Sequence, residues 1–151
     1  MHVSNPKILL IGFGNPARCD DGLGPLLAAE INQMAYPRLT VDIDFQLSVE
    51  HALAVSENDI VVFADASLTG DTPFRLEPVD PDDALDIGSH SVSPAAVVKL
   101  SRDLFGKQPL AFVFAITGHE FGEIREGLSP KASENLSAAK DFFVNWLDNM
   151  S

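Results

Sequence analysis

The chain is predicted to fold as an α/β three-layer sandwich, with a mostly parallel twisted sheet of about five strands and helices on both faces. Three observations carry that prediction. Short apolar runs alternate with segments of helical periodicity. A glycine-rich turn follows the first apolar run. Two Ser-Pro pairs stand where helices begin, with serine as N-cap and proline at the first helical position. A length of 151 residues favours one domain spanning 1–151, large enough to bury a core without disulfides or metal staples.

The elements follow in order. Lys7 to Gly12 is a buried-strand candidate that stops at glycine. Leu23, Leu26, Leu27, Ile31 and Met34 recur at helical spacing, with Pro25 tolerated only in the first turn. Tyr36-Pro37 ends that helix. Leu39 to Phe45 alternates as a strand, and Val49 to Val55 makes a short helix. Asp59 to Ala64 is the strongest buried strand, and Phe74 to Pro78 an edge strand. Asp80 to Gly88 is acidic and proline-containing, hence a loop. Ser93-Pro94 opens a helix, Leu110 to Ile116 is a further strand, and Ser129-Pro130 opens the last helix. On that helix Leu136, Ala139, Phe143, Trp146, Leu147 and Met150 form one apolar face.

Charge narrows the function. Ten Lys and Arg stand against 22 Asp and Glu, a net charge of −12. A nucleic-acid backbone or an anionic membrane surface needs a cationic face, so neither is an expected partner. One cysteine leaves no internal disulfide and no Cys-rich zinc site. The longest N-terminal apolar run, Ile8 to Ile11, is too short for a signal peptide or a span, so a cytoplasmic protein is expected.

Ligands of parallel α/β sheets bind at the carboxyl ends of the strands, and there the chemistry-bearing residues gather. The first end reads GFGNPARCDDGLG, Gly12 to Gly24. Gly12 and Gly14 permit a tight turn and close approach of another backbone, and Asn15-Pro16 sets a turn. One of Asp20 and Asp21 can cap the following helix, which leaves the other for the crevice. Asp65 directly follows the apolar run of the third strand. Taken alone it reads more readily as a cap or a surface turn, but paired with Asp21 it gains meaning. Two carboxylates about 5 Å apart repel by roughly 3 kcal/mol at an effective dielectric near 20, so the pair calls for a shared proton or a cation. His90, in Ser89-His90-Ser91, lies on a loop that the topology returns to the same edge. Two carboxylates and one imidazole suit a borderline divalent ion such as nickel or zinc. His2, near the terminus, His51, on a helix surface, and His119 are weaker candidates. Cys19 lies beside Asp20 and Asp21, which disfavour a thiolate, so it reads as structural rather than nucleophilic.

Across these residues the sequence resembles the hydrogenase maturation proteases, the endopeptidases that trim the large subunit of nickel–iron hydrogenases. KILLIGFGNPARCDDGLG resembles the family's segment of the form GxGNxxxxD[DE]xxG. VVFADAS around Asp65, SHSVSP around His90 and TGHEFGEIREGLSPKASENL, Thr117 to Leu136, resemble its later segments in the same order. The resemblance implies a metal-contacting and catalytic trio of Asp21, Asp65 and His90, in an aspartic-type, metal-binding peptidase. Many relatives carry glutamate where Asp21 stands, and tyrosine where His119 stands. Gly12, Gly14, Asn15, Gln46 and His119 are the implied substrate-binding positions. The implied partner is the precursor large subunit of a nickel–iron hydrogenase. The implied cofactor is nickel, which arrives bound to that precursor. The chain is expected to work as a monomer.

Two other readings stay open. Gly12, Gly14 and Ala17 satisfy the G-x-G-x-x-[GA] pattern of a dinucleotide-binding domain, although Asp20 and Asp21 would then face a pyrophosphate. A phosphoacceptor receiver also pairs acidic residues after strand one with an aspartate after strand three, but it expects a lysine where Ile116-Thr117-Gly118-His119 ends the last strand.

Overall fold

The computed structural model describes residues 5–84 and 92–150. Five strands, β1 (Ile8–Phe13), β2 (Leu39–Asp44), β3 (Ile60–Ser67), β4 (Phe74–Pro78) and β5 (Leu110–Thr117), form one sheet in the order β2-β1-β3-β5-β4. All neighbours run parallel except β4, which pairs antiparallel with β5 at one edge. Four α-helices accompany the strands: α1 (Leu23–Gln33), α2 (His51–Ser56), α3 (Pro94–Phe105) and α4 (Pro130–Asp148).

Two apolar cores make the three layers. On one face Leu10, Val62, Phe114 and Ile116 of the sheet pack against Leu27 and Ile31 of α1 and Leu136 and Phe143 of α4. On the other, Leu9, Ile11, Val61 and Phe63 pack against Val55 of α2 and Val97 and Val98 of α3. Residues of β1 and β3 thus alternate between two buried faces. This explains why both strands read as continuous apolar runs rather than as alternating ones. An aromatic stack of Phe114, Phe143 and Trp146 extends the first core, with centroid spacings of 5.6 and 5.4 Å.

Both Ser-Pro signatures are helix starts. The Ser93 hydroxyl accepts from the Ala96 N–H at 3.1 Å, and the Ser129 hydroxyl from the Ala132 N–H at 3.2 Å. Gly106 ends α3 in the left-handed conformation, with φ of 68°, the usual helix stop. The acidic segment after β4 contains a short 3-10 turn, Pro81–Asp83, in which the Asp80 side chain accepts from the Asp82 N–H.

β3 runs three residues beyond its apolar stretch. Pairing with β1 stops at Gly12↔Ala64, whereas pairing with β5 continues through Asp65↔Ala115 to Ser67↔Thr117. Asp65 therefore belongs to the strand rather than following it. It is the first β3 residue past the point where β1 turns away. That divergence of β1 and β3 is also where the connections leave in opposite directions, toward β2 on one side and, past β5, toward β4 on the other. It is the topological switch point at which such sheets open a crevice.

Candidate active site

α1 is brought onto the strand ends by missing side chains. A Cβ on Gly24 would collide with the Ala64 carbonyl oxygen and lie 2.7 Å from that of Phe13. A Cβ on Gly12 would collide with the Gly24 carbonyl oxygen and lie 2.6 Å from the Ala28 Cβ. Helix and sheet backbones touch at this end of α1, which carries the preceding 3-10 turn, Cys19–Gly22, to the mouth of the crevice. Gly14 closes the connection at φ of 146°, where any Cβ would collide with the Asp21 carbonyl oxygen. Gly12 and Gly14, expected to contact substrate, are both buried. The Gly14 N–H donates to the Asp44 carbonyl at 3.1 Å, which links this turn to the end of β2.

Neither aspartate of the pair caps α1: its N-cap is Gly22, and no side chain accepts from the first turn. The two carboxylates divide differently. Asp21 is half-buried, and its Oδ2 accepts from the Asn15 N–H at 2.8 Å. Asn15, another expected substrate contact, folds its Oδ1 back onto the Ala17 N–H at 3.0 Å. Asp20 is fully buried and carries a role the sequence reading does not assign. Its Oδ2 accepts from the N–H groups of His119 and Glu120 at 2.7 and 2.8 Å, and from the Ser129 hydroxyl at 2.7 Å. Its Oδ1 accepts from the Ser129 N–H at 2.8 Å. Desolvation pushes the Asp20 carboxyl up, but these hydrogen bonds outweigh it and hold the group below its ordinary value. Backbone bonds from Cys19 N to Arg125 O and from Asp20 N to Glu120 O continue the seam. The loops after β1 and β5 are thereby one unit. The available signal was Ser129, which sits at the N-cap of α4 and can donate to a carboxylate while accepting from its own helix.

Asp65 is half-buried at the end of β3. Burial pushes its carboxyl from 3.8 up to about 7. The Ala66 N–H, donating to its Oδ1 at 2.8 Å, pulls the other way, and the negative charge of Asp21 adds a further upward push. Asp21 and Asp65 thus lie close enough at the strand ends to feel each other electrostatically. Such a pair can share a proton or hold a cation between oxygen ligands. Among the described residues, no three His, Cys, Asp or Glu side chains are grouped to hold a metal ion. The third predicted ligand, His90, lies outside the described residues, as does His2.

The remaining candidates take varied positions. Gln46 is exposed just past β2, on the same edge of the sheet. His119 is exposed on the loop after β5, and its N–H serves Asp20. His51 is buried rather than on the helix surface. Its Nδ1 accepts from the Ser48 N–H at 2.9 Å, and its Nε2 lies 3.5 Å from Asp44 and 3.8 Å from Asp42. It opens α2 and faces the sheet, so it closes the turn after β2. Cys19 is buried at φ of 52°, with its thiol donating to the Glu123 carbonyl at 3.6 Å. No described helix is long and apolar enough to cross a membrane.

No model of a protein family matches the chain, and no curated protein matches it. Solved structures do. The [NiFe] hydrogenase maturation protease HycI from Thermococcus kodakarensis aligns with a TM-score of 0.73 at 19% identity, over 95% of this chain and 94% of that one. The hydrogenase maturating endopeptidase HybD from E. coli aligns with a TM-score of 0.74 at 18% identity, over 95% and 93%. The endopeptidase HycI from Escherichia coli aligns with a TM-score of 0.70 at 18% identity, over 93% and 90%. Over nearly its whole length, this chain has the fold of the hydrogenase maturation proteases.

Proposed function

We propose that the protein is an endopeptidase that removes the C-terminal extension of the nickel-loaded precursor of a nickel–iron hydrogenase large subunit. The observation that carries the reading is the pairing of Asp21 and Asp65 at the switch-point crevice, with Asp65 pushed up to about 7. The fold shared with named hydrogenase maturation endopeptidases supports it.

Nickel is substrate cargo in this scheme. Asp21, Asp65 and His90 are the proposed contacts to a metal that the precursor already holds. Oxygen and imidazole donors with open positions fit such docking better than a permanent cage, which closes with four ligands. A divalent ion there would supply Lewis acidity to the scissile carbonyl. The chain's own contribution is proton handling. Burial holds the Asp65 carboxyl up at about 7 before the precursor docks. An arriving divalent ion would favour the carboxylate, whose oxygen could then take a proton from an attacking water and return it to the leaving amine.

The test mixes the protein with the tailed large subunit, with and without nickel, and weighs the products. Loss of a C-terminal peptide only in the nickel-loaded sample supports the reading. An intact tail under both conditions contradicts it.

A further inference from the structure

The four parallel strands of the sheet end on one edge, and the loops that leave them form a rim around Asp21 and Asp65. Among the described residues, the three most exposed large apolar side chains all lie on that rim: Ile124 at 81%, Leu68 at 74% and Phe45 at 70%. They belong to three different loops, following β5, β3 and β2. Single exposed apolar residues are ordinary on a protein surface. Concentration of the most exposed ones around a crevice is the pattern of a binding edge.

The same loops are acidic. Glu50, Asp71, Glu120, Glu123 and Glu126 are exposed there. Three guanidinium groups lie at the described rim. Arg125 is paired with Glu120 at 2.9 Å and with Glu123 at 3.8 Å. Arg75, which donates to the Thr69 carbonyl at 2.9 Å, is paired with Glu77 at 3.0 Å, and Arg18 is left. The span suits an extended segment. β2 and β5 are three strand positions apart, about 14 Å at roughly 4.8 Å per strand, and an extended chain at roughly 3.3 Å per residue crosses that with about five residues.

We infer that this rim is a docking strip for an extended peptide segment with apolar side chains and basic flanks, seated on Phe45, Leu68 and Ile124 so that it crosses above Asp21 and Asp65. In the proposed function, on which this rests, that segment is the part of the precursor around the cut. Apolar contacts would then set affinity and the acidic loops would steer the approach, an effect that weakens with salt.

Fluorescence anisotropy tests the strip without nickel and without cleavage. The probes are three labelled ten-residue peptides: one with Leu, Ile and Val spaced between two lysines, one with glutamates replacing the lysines, and one with serines replacing the apolar residues. The first should bind the wild-type protein at least about tenfold more tightly than either other peptide, a difference of about 1.4 kcal/mol. The variant F45S/L68S/I124S should lose that advantage at an unchanged Tm, and salt should weaken the lysine peptide most. Equal binding of all three peptides, or undiminished binding by the variant, overturns the strip. Photo-crosslinking of the first peptide to wild-type protein, mapped by mass spectrometry, makes the result independent of the variant's folding. Crosslinks should fall on loops 45–50, 68–73 and 119–128, and crosslinks confined to the opposite edge overturn the inference. Failure of the two readings is separable. Peptide binding at the rim with no trimming of any precursor defeats the protease reading alone. Trimming by the variant with an unchanged KM defeats the strip alone.

Discussion

Asp20 and Ser129 are joined twice: the backbone N–H of Ser129 donates to Oδ1 at 2.8 Å and its hydroxyl to Oδ2 at 2.7 Å. The same hydroxyl oxygen accepts from the Ala132 N–H, so one serine caps α4 and fastens it to the turn that carries Asp21. A carboxylate with no solvent exposure tolerates its desolvation only with such partners. Asp20 is therefore the anchor, and Asp21, its half-buried neighbour, is the carboxylate whose charge reaches Asp65.

Replacing Asp20 by Asn should be costly. An amide puts N–H donors against N–H donors and leaves buried groups unpaired, so D20N should lose about 3–5 kcal/mol in urea denaturation at pH 7. The sign with pH follows from the lowered carboxyl. A group bound more tightly as the anion in the folded state contributes stability above its unfolded value of 3.8 and loses it as pH falls through the folded value. Wild type should accordingly lose more stability than D20N between pH 7 and pH 3. Equal slopes would contradict the anchor.

Asp65 has the opposite sign. Its folded value of about 7 lies above the ordinary 3.8, so the folded state holds the extra proton and stability declines as pH rises from about 4 to about 7. Asp65→Asn removes that penalty. The variant should be more stable than wild type at pH 8, by a fraction of the roughly 4 kcal/mol that three pKa units represent, and nearly equal to it at pH 4. Thermal melts at the two pH values measure this. A variant less stable than wild type at pH 8 would contradict the raised value.

The backbone contact beneath the crevice makes a steric prediction. Gly24→Ala places a Cβ against the carbonyl oxygens of Ala64 and Phe13, neither of which can step aside without moving a strand end. The expected loss is about 2–4 kcal/mol, in the upper range for overpacking. Gly106→Ala is the control. It meets nothing within 4 Å, so it should cost only the left-handed backbone, about 1 kcal/mol. Similar losses for the two variants would contradict the close packing of α1.

The strands and capped helices are legible in the sequence because their causes are local. Apolar runs with no polar alternation report two covered faces, and Ser-Pro reports a helix start. Asp65 is legible as an edge carboxylate. Its place inside β3 is not, because it depends on β5 continuing alongside after β1 has turned away. The division of labour between Asp20 and Asp21 escapes the sequence for a similar reason, since every partner of Asp20 lies about a hundred residues downstream. His51 reads as a surface residue from helical spacing alone. It is buried because the turn after β2 folds Ser48 and two strand aspartates onto its ring.

In the proposed function, Asp21, Asp65 and His90 act together on a nickel-loaded precursor. The most direct test incubates that precursor with wild type, Asp21→Asn, Asp65→Asn and His90→Ala, each confirmed folded by its melt, and follows the mass of the large subunit over time. Wild type should release the C-terminal extension and each variant should be slower, Asp65→Asn by about a hundredfold or more, the scale of losing a positioned proton-transfer group. Trimming by all three variants at the wild-type rate would contradict the account.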